Sequence, residues 1–290
     1  MFSQRPFYAP PRESRDESIP EIYRKVEGKG MLEVSSHLNL PSPRRRVVLF
    51  EYPSDGIMIK GCISFLPEAS EKPLLVFLRG GNRFHELLSP DNRWSFFQDY
   101  TVLATTYRGG MNEGTDEFGG EDVNDVKNLI DYLRTLEKQL GFTFTSKQKY
   151  MVGMSRGAMM MFLAFARCPK LQHFFDKVVS LTGLLDIELF LNNRPELKAS
   201  FEKDFGYSSD PSWSDRRNPI LCAPSIAKDF PILILQGSAD RRVFPEEGYR
   251  MLEALKENRC SVEYLEVPGG DHCLENCPDA IDLIHQWLKG

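Results

Sequence analysis

The chain is poor in cysteine and histidine, and it has no long apolar run. Six cysteines in 290 residues are too sparse for a disulfide scaffold. They suit a reducing compartment, so a cytoplasmic protein is expected. The longest apolar run, Ala158–Ala166, falls far short of the roughly 18 residues that a membrane span needs. The N-terminal stretch MFSQRPFYAPPRESRDES lacks the apolar segment of a secretory signal. Positive charge is not in excess either. Lys and Arg number 36 against 41 Asp and Glu, a net charge of −5, which gives nucleic acid and anionic membranes nothing to hold. The only basic run, Arg44-Arg45-Arg46, reads as a solvated strand edge. Glycine (21) and proline (19) are too few for a collagenous or low-complexity chain. No repeat of solenoid or propeller period is present.

Residues 1–44 are polar and irregular and read as an N-terminal extension. Residues 45–290 read as one catalytic domain. In it, apolar runs predict strands at Val47–Tyr52, Ile57–Phe65, Leu74–Leu78, Thr101–Thr106, Tyr150–Met154, Lys177–Leu181, Ile232–Gln236 and Val262–Val267. The first two flank Pro53-Ser54-Asp55-Gly56, a hairpin turn. The runs VLATTY, YMVGM and ILILQG are apolar throughout, as in parallel strands covered on both faces. Helical patterns lie between. Val123, Val126, Ile130 and Leu133 share one face, Pro245-Glu246-Glu247 opens a second helix, and Pro278-Asp279 opens a third that carries Ile281, Ile284 and Leu288. Strands alternating with helices predict an α/β fold, a mostly parallel central sheet with helices on both faces. About residues 184–228 break the rhythm. This aromatic-rich segment (Phe190, Phe201, Phe205, Tyr207, Trp213) reads as a cap-like insertion. Either it walls an apolar substrate pocket with Trp213, or its aromatics only anchor it to the core.

The string Tyr150-Met151-Val152-Gly153-Met154-Ser155-Arg156-Gly157 is a strand followed by Gly-x-Ser-x-Gly and an apolar helix. That pattern describes a sharp turn that presents a serine hydroxyl at the C-terminal end of a sheet. By itself the five-residue pattern is weak, and its place between a buried strand and a helix gives it weight. A serine hydroxyl needs a base and an orienting acid, and on this arrangement they follow the serine in the order acid, then histidine. Of five histidines, only His272 and His285 qualify. His272 lies in a Gly-rich loop after the last strand, whereas His285 sits mid-helix, where packing is the simpler role. Asp240 lies in the loop that ends the penultimate strand. Asp271 is poorly placed to orient its own neighbour. Oxyanion donors are expected from the N–H of Arg156 and from the loop Arg79-Gly80-Gly81-Asn82, where paired glycines let the backbone come close.

The segments LRGGN, TTYRGGMNEGTDEFGGEDVNDV, GMSRGAMM, ILILQGSADRRV and PGGDHC occur in this order. Together they resemble the catalytic domain of the prolyl oligopeptidase family of α/β-hydrolases, over about residues 45–290. The resemblance implies Ser155 as nucleophile, Asp240 as acid and His272 as base. It departs in two places. Many members add a Tyr hydroxyl to the oxyanion hole, and here Arg79 stands near that position. The β-propeller of larger members has no room in 44 N-terminal residues.

The expected function is a serine hydrolase acting on a short peptide or other small molecule through an acyl-enzyme, with no metal and no organic cofactor. A carboxylesterase is the first alternative, and a binding protein on an inactive hydrolase fold is the second. Cys260, His272, Cys273 and Cys277 make a poor zinc site, because the spacing fits no standard finger or ribbon. The acidic stretch Glu113, Asp116, Glu117, Glu121, Asp122 and Asp125 reads as loop solvation and helix N-capping, with capture of a substrate amine as the alternative. Met159, Met160 and Met161 read as core filler.

Overall fold

A computed structural model describes residues 18–38, 40, 42–83, 97–274, 276, 277 and 279–290. Residues 1–17 of the expected extension lie outside these.

Nine strands form one sheet: β1 (Met31–Glu33), β2 (Arg46–Ser54), β3 (Ile57–Phe65), β4 (Leu74–Leu78), β5 (Thr101–Thr105), β6 (Lys149–Met154), β7 (Lys177–Leu181), β8 (Ile232–Gly237) and β9 (Val262–Val267). Their order is β1-β2-β3-β5-β4-β6-β7-β8-β9. The first three strands and the β3–β5 pair are antiparallel, and β5 through β9 run parallel. The β2–β3 hairpin closes on Asp55 and Gly56, both at positive φ (50° and 86°). That is the backbone a two-residue turn needs to match strand twist. The apolar runs account for β4, β5 and β8, whose residues are all buried. Alternate residues of β4 join opposite cores: Leu74, Val76 and Leu78 face one way, Leu75 and Phe77 the other.

Those two cores define the layers. On one face lie α2 (Asn124–Leu140), α3 (Arg156–Arg167) and α7 (Pro245–Glu257). On the other lie α1 (Ser18–Arg24) and α8 (Ala280–Lys289), which buries Ile281, Ile284 and Leu288. The cap-like segment supplies three short helices, α4 (Ile187–Asn193), α5 (Lys198–Phe205) and α6 (Pro211–Asp215). Part of the stretch read as a polar extension belongs to the domain. Strand β1 pairs with Val48–Phe50 of β2, and Tyr23, Val26 and Val34 are buried. Three paired residues are too short a run to announce a strand in the sequence.

The central helix α3 is pressed hard onto the sheet. A Cβ on Gly157 would lie 2.0 Å from the carbonyl oxygen of Leu78, and one on Gly153 would lie 2.6 Å from that of Gly157. Gly157→Ala is therefore expected to lower the melting temperature. In an unencumbered helix the same change stabilises by about 1 kcal/mol, so the sign is diagnostic. Calorimetry showing an unchanged or raised Tm would contradict this packing.

Candidate active site

The β6-to-α3 turn places Ser155 at φ 53°, ψ −122°, a region that a side-chain-bearing residue rarely occupies. Backbone hydrogen bonds hold it there. Its N–H donates to the Leu181 carbonyl at the end of β7 (2.9 Å), and its carbonyl accepts from the N–H groups of Ala158 and Leu184 (3.0 Å each).

His272 opens a short helical turn after β9. Its Nε2 lies 3.1 Å from Ser155 Oγ and its Nδ1 2.8 Å from Asp240 Oδ2. Asp240 is fully buried. Its Oδ1 accepts from the N–H groups of Arg242 (2.8 Å) and Val243 (3.0 Å), and its Oδ2 also accepts from Gln236 Nε2 (3.2 Å). The acid and histidine loops are laced together. Ala239 N–H donates to the Gly270 carbonyl (2.9 Å), and Ser238 N–H donates to that of Val267 (3.0 Å). Such an arrangement fixes the imidazole with one nitrogen toward the acid and the other toward the hydroxyl. Asp271 faces elsewhere, its backbone and side chain engaged with Asn276. His285 packs on Tyr100 as a stacked ring (5.6 Å between centroids).

The loop expected to supply an oxyanion donor follows β4. Arg79, which stands near the position of the family's Tyr, turns its side chain onto backbone carbonyls. Buried against the Tyr107 ring, the guanidinium donates to the backbone carbonyls of Gly80 (2.9 Å), Arg83 (3.0 Å) and Thr106 (2.7 Å). Arg156 is buried as well. Its guanidinium reaches the Gly81 carbonyl (3.0 Å), both carboxylate oxygens of Asp116 (2.7 and 3.0 Å), and Asp122. This corrects the reading of the acidic stretch for three of its six acids, while Glu113 and Glu121 are exposed as expected. Asp116 and Asp122 neutralise Arg156, and Asp125 pairs with Arg108 (2.8 Å). All three are buried, so they are neither solvated nor open to a substrate amine. Burial opposes ionisation of Asp116. The Arg156 guanidinium, with N–H donors from Arg83 and Phe118, outweighs it and holds the carboxyl below its ordinary range. The same two acids hold Arg156 charged despite burial.

Among the described residues, no three side chains converge in a way that could hold a metal ion, and no helix is long and apolar enough to cross a membrane.

The sequence profile of the prolyl oligopeptidase family matches residues 89–289. The chain belongs to the prolyl oligopeptidase family. It is 27% identical over 229 residues to an uncharacterized peptidase, YtmA, of Bacillus subtilis, covering 77% of this chain and 85% of that one. It is 24% identical over 234 residues to the acylamino-acid-releasing enzyme of Sus scrofa, covering 72% of this chain but 29% of that one. The chain thus spans under a third of that animal relative. Among solved structures, an esterase of Pyrococcus furiosus superposes with a TM-score of 0.63 at 18% identity, over 83% of this chain and 90% of that one. A puromycin-hydrolyzing peptidase of Mycobacterium tuberculosis gives 0.64 at 20% identity, over 86% and 41%. As a prolyl oligopeptidase family member on an α/β-hydrolase fold, the protein is a serine hydrolase.

Within this prolyl oligopeptidase family domain, Trp213 is packed into the core. Its indole N–H donates to the Phe205 carbonyl (2.9 Å), its ring packs edge-on against Tyr207 and Phe201, and the Arg217 guanidinium lies over it (4.4 Å). Gln236 and Glu247 escaped the sequence reading. Gln236 sits in an otherwise apolar strand, and an isolated buried-strand amide was the available signal. Glu247 reads as a helix-dipole acid but is buried, accepting from the N–H groups of Leu185 and Asp186. Its carboxyl is pushed well above the usual range by that burial.

Asp240→Asn keeps the shape and favours the wrong imidazole tautomer, and kcat should fall by roughly 10⁴. Asp271→Asn should cost far less. Steady-state kinetics with the two effects reversed would require another acid.

Proposed function

We propose that Ser155, His272 and Asp240 form the catalytic triad of a serine peptidase that cleaves short peptides. The observation that carries this reading is the unbroken Asp240–His272–Ser155 hydrogen-bond relay. His272 Nε2 takes the proton from Ser155 Oγ as the oxygen attacks the scissile carbonyl. Asp240 holds Nδ1–H and stabilises the imidazolium that forms. The carbonyl oxygen, now an oxyanion, accepts from the N–H of Arg156, which opens α3, and from the N–H of Gly81 in the loop after β4. The tetrahedral adduct collapses, His272 returns the proton to the leaving amine, and water releases the acyl group by the same steps. A second reading, an esterase, is favoured by the Pyrococcus furiosus esterase, which aligns along nearly its whole length (90%). The free thiols of Cys62, Cys168, Cys222, Cys260 and Cys277 support a cytoplasmic setting.

Ser155→Ala should lower kcat by on the order of 10⁶, and a phosphonate probe should label Ser155 alone. A variant retaining a tenth of the activity would remove the nucleophile assignment. Parallel assays on an aminoacyl anilide and an aryl ester of the same acyl group decide between peptidase and esterase.

The base must be neutral to accept a proton, so kcat/KM should decline in acid through a single ionisation. A profile that stays flat from about pH 5 to 8 would argue against His272.

A further inference from the structure

The loop between β4 and the next turn is held in an unusual way. Nearly every backbone group from Gly80 to Arg83 that the structure pairs is paired with a buried charged side chain. Arg79 takes the carbonyls of Gly80 and Arg83, Arg156 takes that of Gly81, and Asp116 Oδ2 accepts from the Arg83 N–H (2.8 Å). Asp116 also grips Arg156, so the loop, the start of α3 and the segment after β5 meet at one carboxylate. The Tyr107 ring lies beside both guanidinium groups (5.0 and 5.5 Å), and the Phe118 ring lies under that of Arg156 (4.6 Å).

Two physical points give this cluster a direction. A trans peptide carries its C=O and N–H on opposite sides, and no cis peptide occurs among the described residues. With the Gly80 carbonyl turned onto Arg79, the N–H of Gly81 is turned away from it. With the Gly81 carbonyl turned onto Arg156, the N–H of Asn82 is turned away likewise. The second point is energetic. Burying Arg156, Asp116 and Asp122 together carries a desolvation penalty that their attraction roughly offsets, so an apolar cluster would serve stability as well. What the charges supply is orientation, since a planar fork fixes two acceptors at once.

We infer that Arg79 and Arg156, locked by Asp116, are positioning residues that set the peptide planes of the Gly80–Gly81 loop and so aim its N–H at the oxyanion. This rests on the triad and oxyanion reading given above. The hydrogen bonds described for the two guanidinium groups go to backbone carbonyls and carboxylates. The two side chains act through the backbone they hold.

The test compares an aryl ester with its thiono ester, in which sulfur replaces the carbonyl oxygen and accepts hydrogen bonds poorly. The ratio of kcat/KM for the two reports on the oxyanion hole, and it is independent of how much of each preparation is folded. Arg79→Lys, Arg156→Lys and Asp116→Asn retain size but lose the fork or the shared acceptor. Each should reduce kcat/KM on the oxygen ester by roughly 10- to 100-fold, part of what a whole oxyanion donor is worth. The thiono ester should lose little, so the ratio falls by a similar factor, while the acid-side ionisation stays where it is. Equal losses on both esters, or an unchanged ratio in variants that remain folded, would overturn the inference and leave a purely structural cluster. Ser155→Ala on the same two substrates separates the readings. Retained activity there would remove the triad itself, whatever the ratio does in the other variants.

Discussion

The close approach of α3 to the sheet is the constraint on which the site depends. Gly157 has no room for even one carbon beside the Leu78 carbonyl, so the helix can begin that near only if the turn before it is abrupt. The abruptness falls on Ser155, held at positive φ at a cost of about 1–3 kcal/mol. Three backbone hydrogen bonds from β7, from α3 and from the loop after β7 offset it. The strained residue and the proposed nucleophile are therefore one. The same packing that raises its energy also brings the first N–H of the helix and the loop after β4 to its side.

Around that turn, ionised groups are used for shape. Arg108 with Asp125, and Arg156 with Asp116 and Asp122, bury opposite charges among backbone donors and acceptors. Such clusters add little net stability, but they resist displacement because each guanidinium is held by two carboxylates, Arg108 by Asp55 and Asp125 and Arg156 by Asp116 and Asp122. They sit on the segment between β5 and α2, which has no regular structure of its own until Glu121. A loop without a ladder of hydrogen bonds needs side chains to satisfy its backbone, and these carboxylates do so.

How much of this is visible in the sequence depends on how far apart the partners lie. The parallel strands show as apolar runs because both of their faces are covered, and the nucleophile turn shows because its glycines and serine are contiguous. Asp240 and His272 are legible through their order and their places after strands, since the fold brings strand ends to one edge. The partners of Asp116 and Asp122 are not legible. Arg156 stands 40 and 34 residues away, and no local pattern links an acid in a loop to a base in a helix. Arg79 misleads for the same reason: its three carbonyl acceptors belong to two loops that meet only in the fold. Strand β1 is hidden by brevity, and Trp213 by ambiguity, because an aromatic in an insertion serves a wall and an anchor equally well.

Glu247 carries the dependence of the site one layer further out. It lies in the first turn of α7, where an exposed acid would favour the helix dipole, yet it is fully buried. Its carboxyl accepts from Leu185 and Asp186, the two residues after Leu184, whose own N–H holds the Ser155 carbonyl. Asp186 and Asp240 are nearby charges of the same sign, and both favour a neutral Glu247. The carboxyl, pushed well above its ordinary range, satisfies two N–H groups of the loop behind Ser155. The loop that steadies Ser155 and the helix that follows Asp240 are thus joined twice, through Glu247 and through the Arg250–Asp186 ion pair (2.5 Å), so that the backbone behind the serine and the chain after the acid share one support.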